Sequence, residues 1–416
     1  MALVDLEISL TDEERAVRDT ARRFATETLR TVGAALDKMP APDKVIAPGS
    51  PLWGVFDQYH ALGLDLLDDV TPADEVSLVD AARRRFLVSE ELGWGDAGLA
   101  ISLGVSGFHR FFAHLTGREA LVDRFCVAGR REIGCWAITE PDHGSDQLVV
   151  SDTVGGELRM RGNCVARRDG DEWIIDGQKA AWVSNGTIAS VATLFCTVDP
   201  SQGLRGGGVA LVPLDLPGVS RGAPLDKLGQ RALNQGEIFF EGVRIPADYM
   251  VVGPDAYGTV VEAVLTVANA AMGAVFVGCA RAALEHALAY AKTRVQGGVP
   301  IFEHQSVKGR LFKMFTQVEA ARALAWRAML YNSSSPPLVQ YSIASKVFST
   351  TTAFDVASAA VQIFGGNGLS REYPVEKLLR DARASMIEDG CNEVLSLVGG
   401  ARLLSLIHIS EPTRPY

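Results

Sequence analysis

Two carboxylates stand beside a glycine near the end of the chain, in the run Glu388-Asp389-Gly390. A positioned carboxylate can act as a general acid or base, and glycine lets the backbone approach a ligand closely. Side chains of adjacent residues point in different directions, so at most one of the two would face a site. From these residues alone, a solvated acidic turn is an equally good interpretation.

Two other segments have the composition of ligand-binding loops. Thr139 to Asp146 is polar and rich in turn formers, and its hydroxyl and backbone N–H groups suit a ligand with many acceptors, although an ordinary loop would look the same. Gly365-Gly366-Asn367-Gly368 follows an apolar run and reads as a helix C-cap. Gln362 lies within that run, where a polar side chain pointing inward needs a partner that a cofactor could supply.

The composition excludes several classes of function. A formal net charge of −10 argues against a nucleic-acid partner, which requires clustered Lys and Arg. The 6 cysteines are scattered singly without a C-x-x-C pair, so we expect neither a metal site nor a disulfide framework. No G-x-G-x-x-G follows a predicted strand and no P-loop is present, so any nucleotide cofactor must be held in another way.

The N-terminus and one long apolar stretch bear on location. Acidic residues precede the first basic residue, Arg15, where a secretory signal or mitochondrial presequence needs basic ones, so we expect a cytoplasmic protein. The stretch from Ala263 to Ala280 carries no charge and is long enough for a spanning helix. Its Ala, Val and Gly content, its Asn269 and its lack of flanking aromatics favour a buried helix in a bundle, and we expect no membrane span.

The spacing of apolar residues changes along the chain and divides it into regions. Residues 1–130 predict an all-helical domain, and residues 131–246 predict a compact β-barrel or sandwich of short strands. Within the second region, Asp176-Gly177 predicts a hairpin turn. Residues 247–404 predict a helical bundle. Residues 405–416 break the helical pattern and contain two prolines, which predicts an atypical tail of non-native origin.

The order of the elements predicts the fold class. In the last region, helices are expected over about 306–331 and 338–364. Helices, then strands, then helices, without strand–helix alternation, predict an α+β fold and argue against a Rossmann unit.

Many segments, taken together and in order, resemble the acyl-CoA dehydrogenase family over roughly residues 10–404. Each segment alone is weakly specific, whereas chance agreement over so many ordered segments is negligible. The matching segments are Trp136-Ala137-Ile138-Thr139-Glu140-Pro141 with Gly144-Ser145-Asp146, Trp173-Ile174-Ile175-Asp176-Gly177-Gln178-Lys179, Trp182-Val183-Ser184-Asn185-Gly186, Leu228-Gly229-Gln230-Arg231, Phe239-Phe240-Glu241-Gly242-Val243-Arg244-Ile245-Pro246, Glu303-His304-Gln305, Val361-Gln362-Ile363-Phe364-Gly365-Gly366-Asn367-Gly368, Glu372-Tyr373-Pro374-Val375-Glu376-Lys377 and Arg380-Asp381.

The resemblance implies an N-terminal all-α domain, a middle β-barrel domain and a C-terminal four-helix bundle, with FAD between barrel and bundle. It implies that the flavin ring is lined by the segment from Trp136 to Ser145, with Ile138 and Thr139 acting through backbone groups. Trp182 and Ser184 would pack on the ring and hydrogen-bond to it. Cys391 and Glu393 join the implied cofactor set.

The resemblance also implies a shared cofactor site and therefore an oligomer, a homotetramer or a homodimer. Arg294 and Gln296 would reach the FAD pyrophosphate and ribityl region of a neighbouring subunit, a task for which a guanidinium is well suited. The adenine half would be held by His304, Gln305, Gln362, Gly365 and Gly366.

The implied reaction is α,β-dehydrogenation of an acyl thioester. A carboxylate removes the α proton while the β hydrogen leaves as hydride to flavin N5, and electrons pass to an electron-transfer flavoprotein. Asp389 aligns with the family's base and Glu388 is a fallback base. Ser145, Thr266, Asn269 and Gly390 would contact the substrate.

Two departures from the family pattern concern the substrate. The family commonly has Glu-Gly-Thr at the base, whereas this chain has Asp389-Gly390-Cys391, which shortens the arm by one C–C bond, roughly 1.5 Å. Asn269 stands where an Arg is usual near the substrate. Both changes suggest a branched, cyclic or carrier-bound acyl group as a hypothesis.

Two alternative functions stay open at this point. The first is a flavin oxidase similar to nitroalkane oxidases, relatives that also use an Asp base. The second is a non-catalytic protein with the flavin-binding fold. Peroxide release from a nitroalkane would select the first, and unchanged turnover after Asp389→Asn would favour the second.

Overall fold

The computed structural model describes residues 10–65, 75–126, 132–149, 160–332 and 338–410. The predicted boundary at residue 130 lies outside these ranges. Helices make up the N-terminal part, and a π-helical turn at Ala25–Leu29 joins the first two. These helices are α1 (Asp12–Phe24), α2 (Arg30–Asp37), α3 (Pro42–Val45), α4 (Leu52–Ala61), α5 (Glu75–Gly95), α6 (Ala97–Ser106), α7 (Phe108–Leu115) and α8 (Glu119–Phe125).

The start of α1 shows how local sequence sets an element. Thr11 accepts a hydrogen bond from the Glu14 backbone N–H at 3.2 Å, and the Glu14 carboxylate accepts one from the Thr11 N–H at 2.8 Å. This reciprocal pair satisfies two of the backbone donors that a helix N-terminus leaves unpaired. A capping box of Thr11 and Glu14 therefore begins the first described helix.

A single sheet of eight strands follows within the described residues. Its order is β6-β7-β3-β1-β4-β5-β8, and β2 pairs with both β3 and β4, so β1, β3, β2 and β4 form a closed ring. The strands of the sheet share a buried apolar core that includes Ile175, Leu194 and Phe240. The strands are β1 (Gly134–Ala137), β2 (Val165–Asp169), β3 (Glu172–Ser184), β4 (Val191–Thr197), β5 (Gly207–Pro213), β6 (Val219–Arg221), β7 (Gln235–Pro246) and β8 (Met250–Val252).

The prediction of a hairpin turn at Asp176-Gly177 is wrong. β3 continues through both residues, and the turn between β2 and β3 lies at Gly170-Asp171, where Asp169 pairs with Glu172. Gly177 instead forms a β-bulge against β7, with φ +138°. A Cβ at this position would lie 2.6 Å from the Cα of Cys164, so glycine is required by the close approach of the neighbouring segment.

Helices return after β8 and form the C-terminal bundle. The predicted helices over 306–331 and 338–364 are confirmed, and the sequence of helical, sheet and helical regions confirms the α+β fold class. A short hairpin, β9 (Val295–Gln296) and β10 (Val299–Pro300), follows the first bundle helix. The helices are α9 (Pro254–Thr293), α10 (Gln305–Tyr331), α11 (Val339–Phe364), α12 (Val375–Ser385) and α13 (Asn392–Ser410).

The last helix corrects the prediction for the tail. α13 extends to Ser410, past the point where the sequence pattern indicated a break at residue 405. The two prolines that motivated the break lie at 412 and 415, in the part of the tail outside the described residues. A proline removes a backbone donor that a helix needs, whereas residues 405–410 contain none, so nothing in their backbone prevents the helix from continuing to Ser410.

Two helices, Pro254–Thr293 and Val339–Leu369, are long and apolar enough to cross a bilayer by length and composition alone. In this structure 72% of the apolar window of the first helix is buried inside the protein. The charge that ends its uncharged stretch, Arg281, is also buried and pairs with Glu90 and Glu91 of α5 at 2.8 Å each. Packing between helices therefore accounts for the apolar composition of α9.

Candidate active site

Two cavities meet at Asp389. One is a cleft between the sheet and the bundle, and the other is an apolar pocket among α5, α6 and α9. Asp389 and Trp136 line both cavities. A group bound in the cleft and a group bound in the pocket would therefore both reach the same carboxylate.

The cleft collects the residues predicted to line a flavin ring. Trp182 is 57% exposed, unusual for so large an apolar side chain, and it offers a flat apolar surface to the cleft. The lining residues are Trp136, Ile138, Thr139, Gly144, Ser145, Leu148, Trp182, Ser184, Lys227, Leu228, Gly229, Gln235, Arg383, Ala384, Ile387, Glu388, Asp389 and Gly390.

A buried ion pair fixes the cleft wall that follows β1. Lys179 of β3 donates to the Ile138 carbonyl at 2.9 Å and to the Glu140 carboxylate at 2.6 Å. Both side chains of the pair are fully buried. Glu140 also accepts from the backbone N–H groups of Asn163 and Cys164. These bonds, with the Ala180 N–H that donates to the Thr139 carbonyl at 2.9 Å, hold two cleft-lining residues, Ile138 and Thr139, against β3.

The polar loop predicted as a ligand contact is a compact turn. Glu140 and His143 exchange backbone hydrogen bonds at 2.9 and 3.2 Å, and Asp146 accepts from the Gly144 N–H and contacts the His143 ring. Ser145 then begins a short 3₁₀ turn, and the Ser145 hydroxyl group points back across the cleft. Its Oγ accepts a hydrogen bond of 2.9 Å from the Cys391 backbone N–H.

The strained backbone positions of the described chain all adjoin the cleft. Its non-glycine residues with positive φ are Ala181, Asn185, Gln230 and Asp389, with φ between +50° and +62°. Asp389 lines the cleft itself, and each of the other three is next to a lining residue. Left-handed backbone at non-glycine residues is costly and persists where surrounding structure imposes it, a feature concentrated at functional sites.

The carboxylate-bearing loop joins α12 to α13. Asp389 and Gly390 both have positive φ, +51° and +95°, so the chain reverses sharply at the base candidate. The loop is tied down by the bond from Cys391 to Ser145 and by the Asn392 N–H, which donates to the Met386 carbonyl at 3.0 Å. A Cβ on Gly390 would meet Leu395 and Leu148 at 2.9–3.0 Å, so the glycine is also required by space.

Burial raises the pKa of Asp389 to about 6, and the Lys346 cation acts in the opposite direction. Burial raises the pKa of the adjacent Glu388 to about 7, and a hydrogen bond from Gln230 opposes the rise. Desolvation disfavours the charged form of a carboxyl group, and a base whose pKa lies near working pH is effective in proton transfer. Asp389 therefore has the electrostatic surroundings expected of a general base.

The cleft fits a flavin on three observations. The exposed Trp182 face suits a flat ring system, and Thr139, Ser145 and Ser184 supply hydrogen-bonding groups to the same cleft. The indole Nε1 of Trp136 is buried, and no described residue accepts its hydrogen bond. Buried donors are nearly always satisfied, so a bound molecule with an acceptor at this position would complete the site.

The pocket on the other side of Asp389 is mainly apolar. Thr266, predicted as a substrate contact, lines it, and Phe108 stacks on Trp136 at the junction with 5.3 Å between ring centroids. The other lining residues are Tyr59, Leu64, Ala82, Arg85, Val88, Ser89, Leu92, Ala100, Ile101, Gly104, Val105, Val267, Ala268, Ala270, Ala271, Met272, Val275, Met329 and Asn332.

Asn269 does not line this pocket, contrary to its predicted role as a substrate contact. Its side chain is fully buried and donates to the Leu265 carbonyl at 2.9 Å. The residue lies one helical turn before Gly273, where α9 packs against Ser345 of α11. Helix geometry therefore turns Asn269 towards the bundle interior, while its neighbours Ala268 and Ala270 line the pocket.

The remaining predicted cofactor residues form an exposed group outside the cleft. These residues are Arg294, Gln296, His304, Gln305, Gln362, Gly365 and Gly366. His304 contacts the Gln296 carbonyl at 3.0 Å, and Gln362 borders a shallow hollow with Arg310 and Lys313. The predicted contact of this group with a neighbouring subunit stays a prediction. Glu393 is exposed and Cys391 is partly buried, and neither borders the cleft.

The inward orientation expected for Gln362 is wrong. Its side chain is exposed, whereas Ala360, Ile363 and Phe364 of the same helix are buried. α11 presents one apolar face to the bundle, and Gln362 lies on the opposite side. An apolar run in sequence does not by itself show which side each residue takes.

The structure adds residues that the sequence did not assign to the site. Lys227 lines the cleft and donates to the Leu233 carbonyl and the Gln235 side chain at 2.8 and 2.7 Å. Lys346 is buried next to Gly390. Gln230 lies in one of the segments that resemble the family, but its sequence position gave no reason to expect its contact with Glu388. For Lys346 a signal existed, because it is one of only two charged residues in α11.

Across the described ranges, no group of three or more His, Cys, Asp or Glu side chains is placed to hold a metal ion. The cysteines at 126, 135, 164, 196, 279 and 391 are all free thiols.

Comparison with known proteins agrees with this geometry. Residues 135–243 match the acyl-CoA dehydrogenase middle-domain model, and residues 258–404 match the C-terminal-domain model. The chain is 30% identical over 405 residues to the short-chain specific acyl-CoA dehydrogenase, mitochondrial, of Bos taurus, covering 95% of this chain and 91% of the bovine protein.

Solved structures show the same fold. Butyryl-CoA dehydrogenase from Megasphaera elsdenii superposes with a TM-score of 0.82 at 28% identity, covering 96% of this chain and 100% of that one. A nitroalkane oxidase crystallised with 1-nitrooctane also superposes with a TM-score of 0.82, but at 20% identity, covering 98% of each chain. The second likeness shows the shared fold alone.

The family models cover more than half of the chain, and both the element order and the cleft agree with them. The chain belongs to the acyl-CoA dehydrogenase family.

Proposed function

We propose that this protein is an FAD-dependent enzyme that removes hydrogen from the α and β carbons of an acyl thioester, with Asp389 as the base. The observation that carries the proposal is the position of Asp389 at the junction of the two cavities. The acyl group occupies the apolar pocket, FAD occupies the cleft, and the carboxylate lies where the two meet.

Asp389 takes the α proton. The α C–H of a thioester is weakly acidic, so the base has to contact it in surroundings from which water is largely excluded. The apolar walls of the pocket, including Val88, Leu92 and Met272, supply those surroundings. No acceptor for the Asp389 backbone N–H lies among the described residues, so this donor is available to the thioester oxygen as negative charge develops there.

When bound, FAD accepts the β hydrogen as a hydride equivalent. Trp136, Trp182 and Ser184 hold the ring system in the cleft, with the backbone groups that Lys179 fixes. An electron-transfer flavoprotein is the expected acceptor of the electrons.

The Asp389 side chain is shorter than that of a glutamate, and the backbone turns sharply at this same residue. The left-handed conformation of Asp389 and Gly390 bends the loop between α12 and α13 at the cleft. The apolar lining of the pocket suits an acyl group, and the branched or cyclic substrate suggested by the sequence is part of this proposal.

The test is anaerobic reduction of the bound flavin by a panel of straight, branched, aromatic and alicyclic acyl-CoA thioesters. At least one thioester should bleach the flavin of the wild-type protein. Asp389→Asn should lower the rate constant roughly 10²–10⁴-fold, the usual contribution of a general base, with flavin content unchanged. Glu388→Gln, the same change one residue earlier, is the matched control and should lower the rate far less.

Failure of every thioester to reduce the flavin would contradict the proposal. Peroxide released in equal amount to an added nitroalkane would assign the site to oxidase chemistry instead. Equal rates for Asp389→Asn and the wild type would show that the carboxylate is not the base.

A further inference from the structure

Lys346 is a buried lysine with no part in the reaction described so far. It lies in the middle of α11, its side chain is completely buried, and its helix carries only one other charged residue, Asp355. Burying an ammonium group is costly unless its donors are satisfied. The partners of this side chain therefore indicate what the structure gains from it.

Both of its side-chain hydrogen bonds are with the base loop, the segment of residues 386–392 that carries Asp389. Nζ donates to the Gly390 carbonyl at 2.7 Å and to the Asn392 side-chain oxygen at 2.8 Å. Asn392 in turn donates to Thr350 and Thr351, one turn further along α11, at 3.1 and 3.3 Å. The residues immediately after Asp389 are thus attached to one face of α11.

These contacts fall where the loop is strained. Asp389 and Gly390 have φ of +51° and +95°, and a non-glycine residue keeps such a conformation only when its surroundings impose it. The Cys391 N–H is held from the opposite side by Ser145. A donor on the Gly390 carbonyl fixes the peptide between Gly390 and Cys391, one residue after the base, and so restrains the direction of the Asp389 side chain.

We propose that Lys346 is a positioning residue, which holds the left-handed base loop through the Gly390 carbonyl and whose charge favours the ionised form of Asp389. The inference rests on the proposed role of Asp389 as the base. Lys346 lines neither cavity, so it acts through the loop and through its charge on Asp389 rather than by contact with a bound molecule.

The charges around Lys346 define the electrostatic part of this role. Burial lowers the pKa of Lys346 to about 8, and Asp389, Glu388, Cys391 and Glu393 oppose the drop. In return, the cation opposes the rise that burial imposes on the pKa of Asp389. Without the cation, the carboxylate is harder to ionise, so the acid limb of the pH profile moves to higher pH.

Two substitutions separate the mechanical contribution from the charge. Lys346→Met keeps the apolar stem and removes both the donors and the charge. Lys346→Gln keeps an N–H donor for the loop and removes only the charge. We expect Lys346→Met to lower kcat about tenfold or more, because a small misplacement of a catalytic group is costly. Lys346→Gln should recover much of kcat, while the acid limb of kcat/KM should move to higher pH in both variants.

Flavin content, flavin absorbance and thermal midpoint serve as controls for folding. An independent readout is the protonated-carboxyl C=O stretch of Asp389, obtained as an infrared difference between each protein and its Asp389→Asn counterpart over a pH series. Its midpoint should rise in both Lys346 variants. This titration needs no turnover, so it tests the inference even if no thioester proves to be a substrate.

An unchanged acid limb and an unchanged carboxyl midpoint in folded Lys346→Met protein would overturn the proposal. Equal kcat losses in Lys346→Met and Lys346→Gln, with no shift in either pH measurement, would assign Lys346 a purely structural role. If Lys346→Met does not fold, the midpoint measured in Lys346→Gln alone decides the electrostatic part.

Discussion

At the scale of single residues, the site depends on one carboxylate chosen from two neighbours. Glu388 and Asp389 both border the cleft, but only Asp389 also borders the apolar pocket. The Glu388 carboxylate is engaged by Gln230 at 2.8 Å, whereas Asp389 receives no side-chain hydrogen bond among the described residues. The turn of the backbone at Asp389 therefore decides which of the two can reach a substrate.

The pH dependence of catalysis should identify the base. A carboxylate base works only when ionised, and burial raises the pKa of Asp389 to about 6. We expect kcat/KM to rise about tenfold per pH unit below that pKa and to level off above it. The measurement is a profile of flavin reduction with a thioester whose own ionisation lies outside the range.

Glu388→Gln provides the control for this profile. Burial raises the pKa of Glu388 to about 7. An acid limb of kcat/KM that depended on Glu388 would therefore have its midpoint at a higher pH, and it would disappear in this variant. Persistence of the lower limb in Glu388→Gln is the expected result. Loss of the limb would identify Glu388 as the base and would rule out the role given to Asp389.

At the scale of elements, the cleft wall is held by a buried ion pair between β3 and the segment after β1. Lys179 and Glu140 are both fully buried and 2.6 Å apart. Removing one partner of a buried pair leaves an uncompensated charge, which costs about 3–5 kcal/mol, whereas removing both charges together is often nearly neutral. The pair also orients Ile138, so stability and cofactor binding should change together.

We therefore expect Lys179→Met to lower the free energy of unfolding by about 3–5 kcal/mol and to weaken flavin retention. The double variant Lys179→Met/Glu140→Gln should recover most of the stability and less of the flavin retention, because Ile138 still lacks its donor. Urea unfolding and flavin content after gel filtration measure the two effects. Additive losses in the double variant would show that the two side chains do not act as a pair.

At the scale of the whole molecule, the predicted oligomer stays a prediction, and it can be tested at exposed apolar side chains close in sequence to the second group of cofactor residues. Phe312 is 69% exposed and lies between Arg310 and Lys313 in the sequence. Leu369 is 78% exposed and lies three residues after Gly366 in the sequence. Exposed apolar residues that form one contiguous patch mark interaction surfaces, so the expectation is that these side chains belong to such a patch.

We expect the protein to self-associate, and we expect Phe312→Asp and Leu369→Asp to shift it towards monomers with reduced FAD retention. A charge placed in an apolar interface is desolvated without a partner, which weakens association. Analytical ultracentrifugation of the flavin-loaded protein measures the change. Leu404→Asp, at another strongly exposed leucine (63%) away from these residues in the sequence, is the matched control. A wild-type protein that sediments as a monomer would contradict the expectation.

The sequence by itself determined the elements and the family. Apolar periodicity placed the long helices α10 and α11 almost to the residue, because a helix of more than twenty residues repeats its pattern many times. The ordered motifs placed Trp136, Thr139, Ser145, Trp182 and Ser184 in one site, and the structure does bring these residues to one cleft.

Only the tertiary structure decided which side each residue faces and what lies next to it. Gln362 turned out to be exposed and Asn269 to face the bundle, because orientation depends on the packing of neighbouring helices rather than on the residue itself. Asp176-Gly177 became a bulge because another segment passes close to it. Lys346 joins the base loop across 44 residues of sequence, a contact that no local pattern encodes.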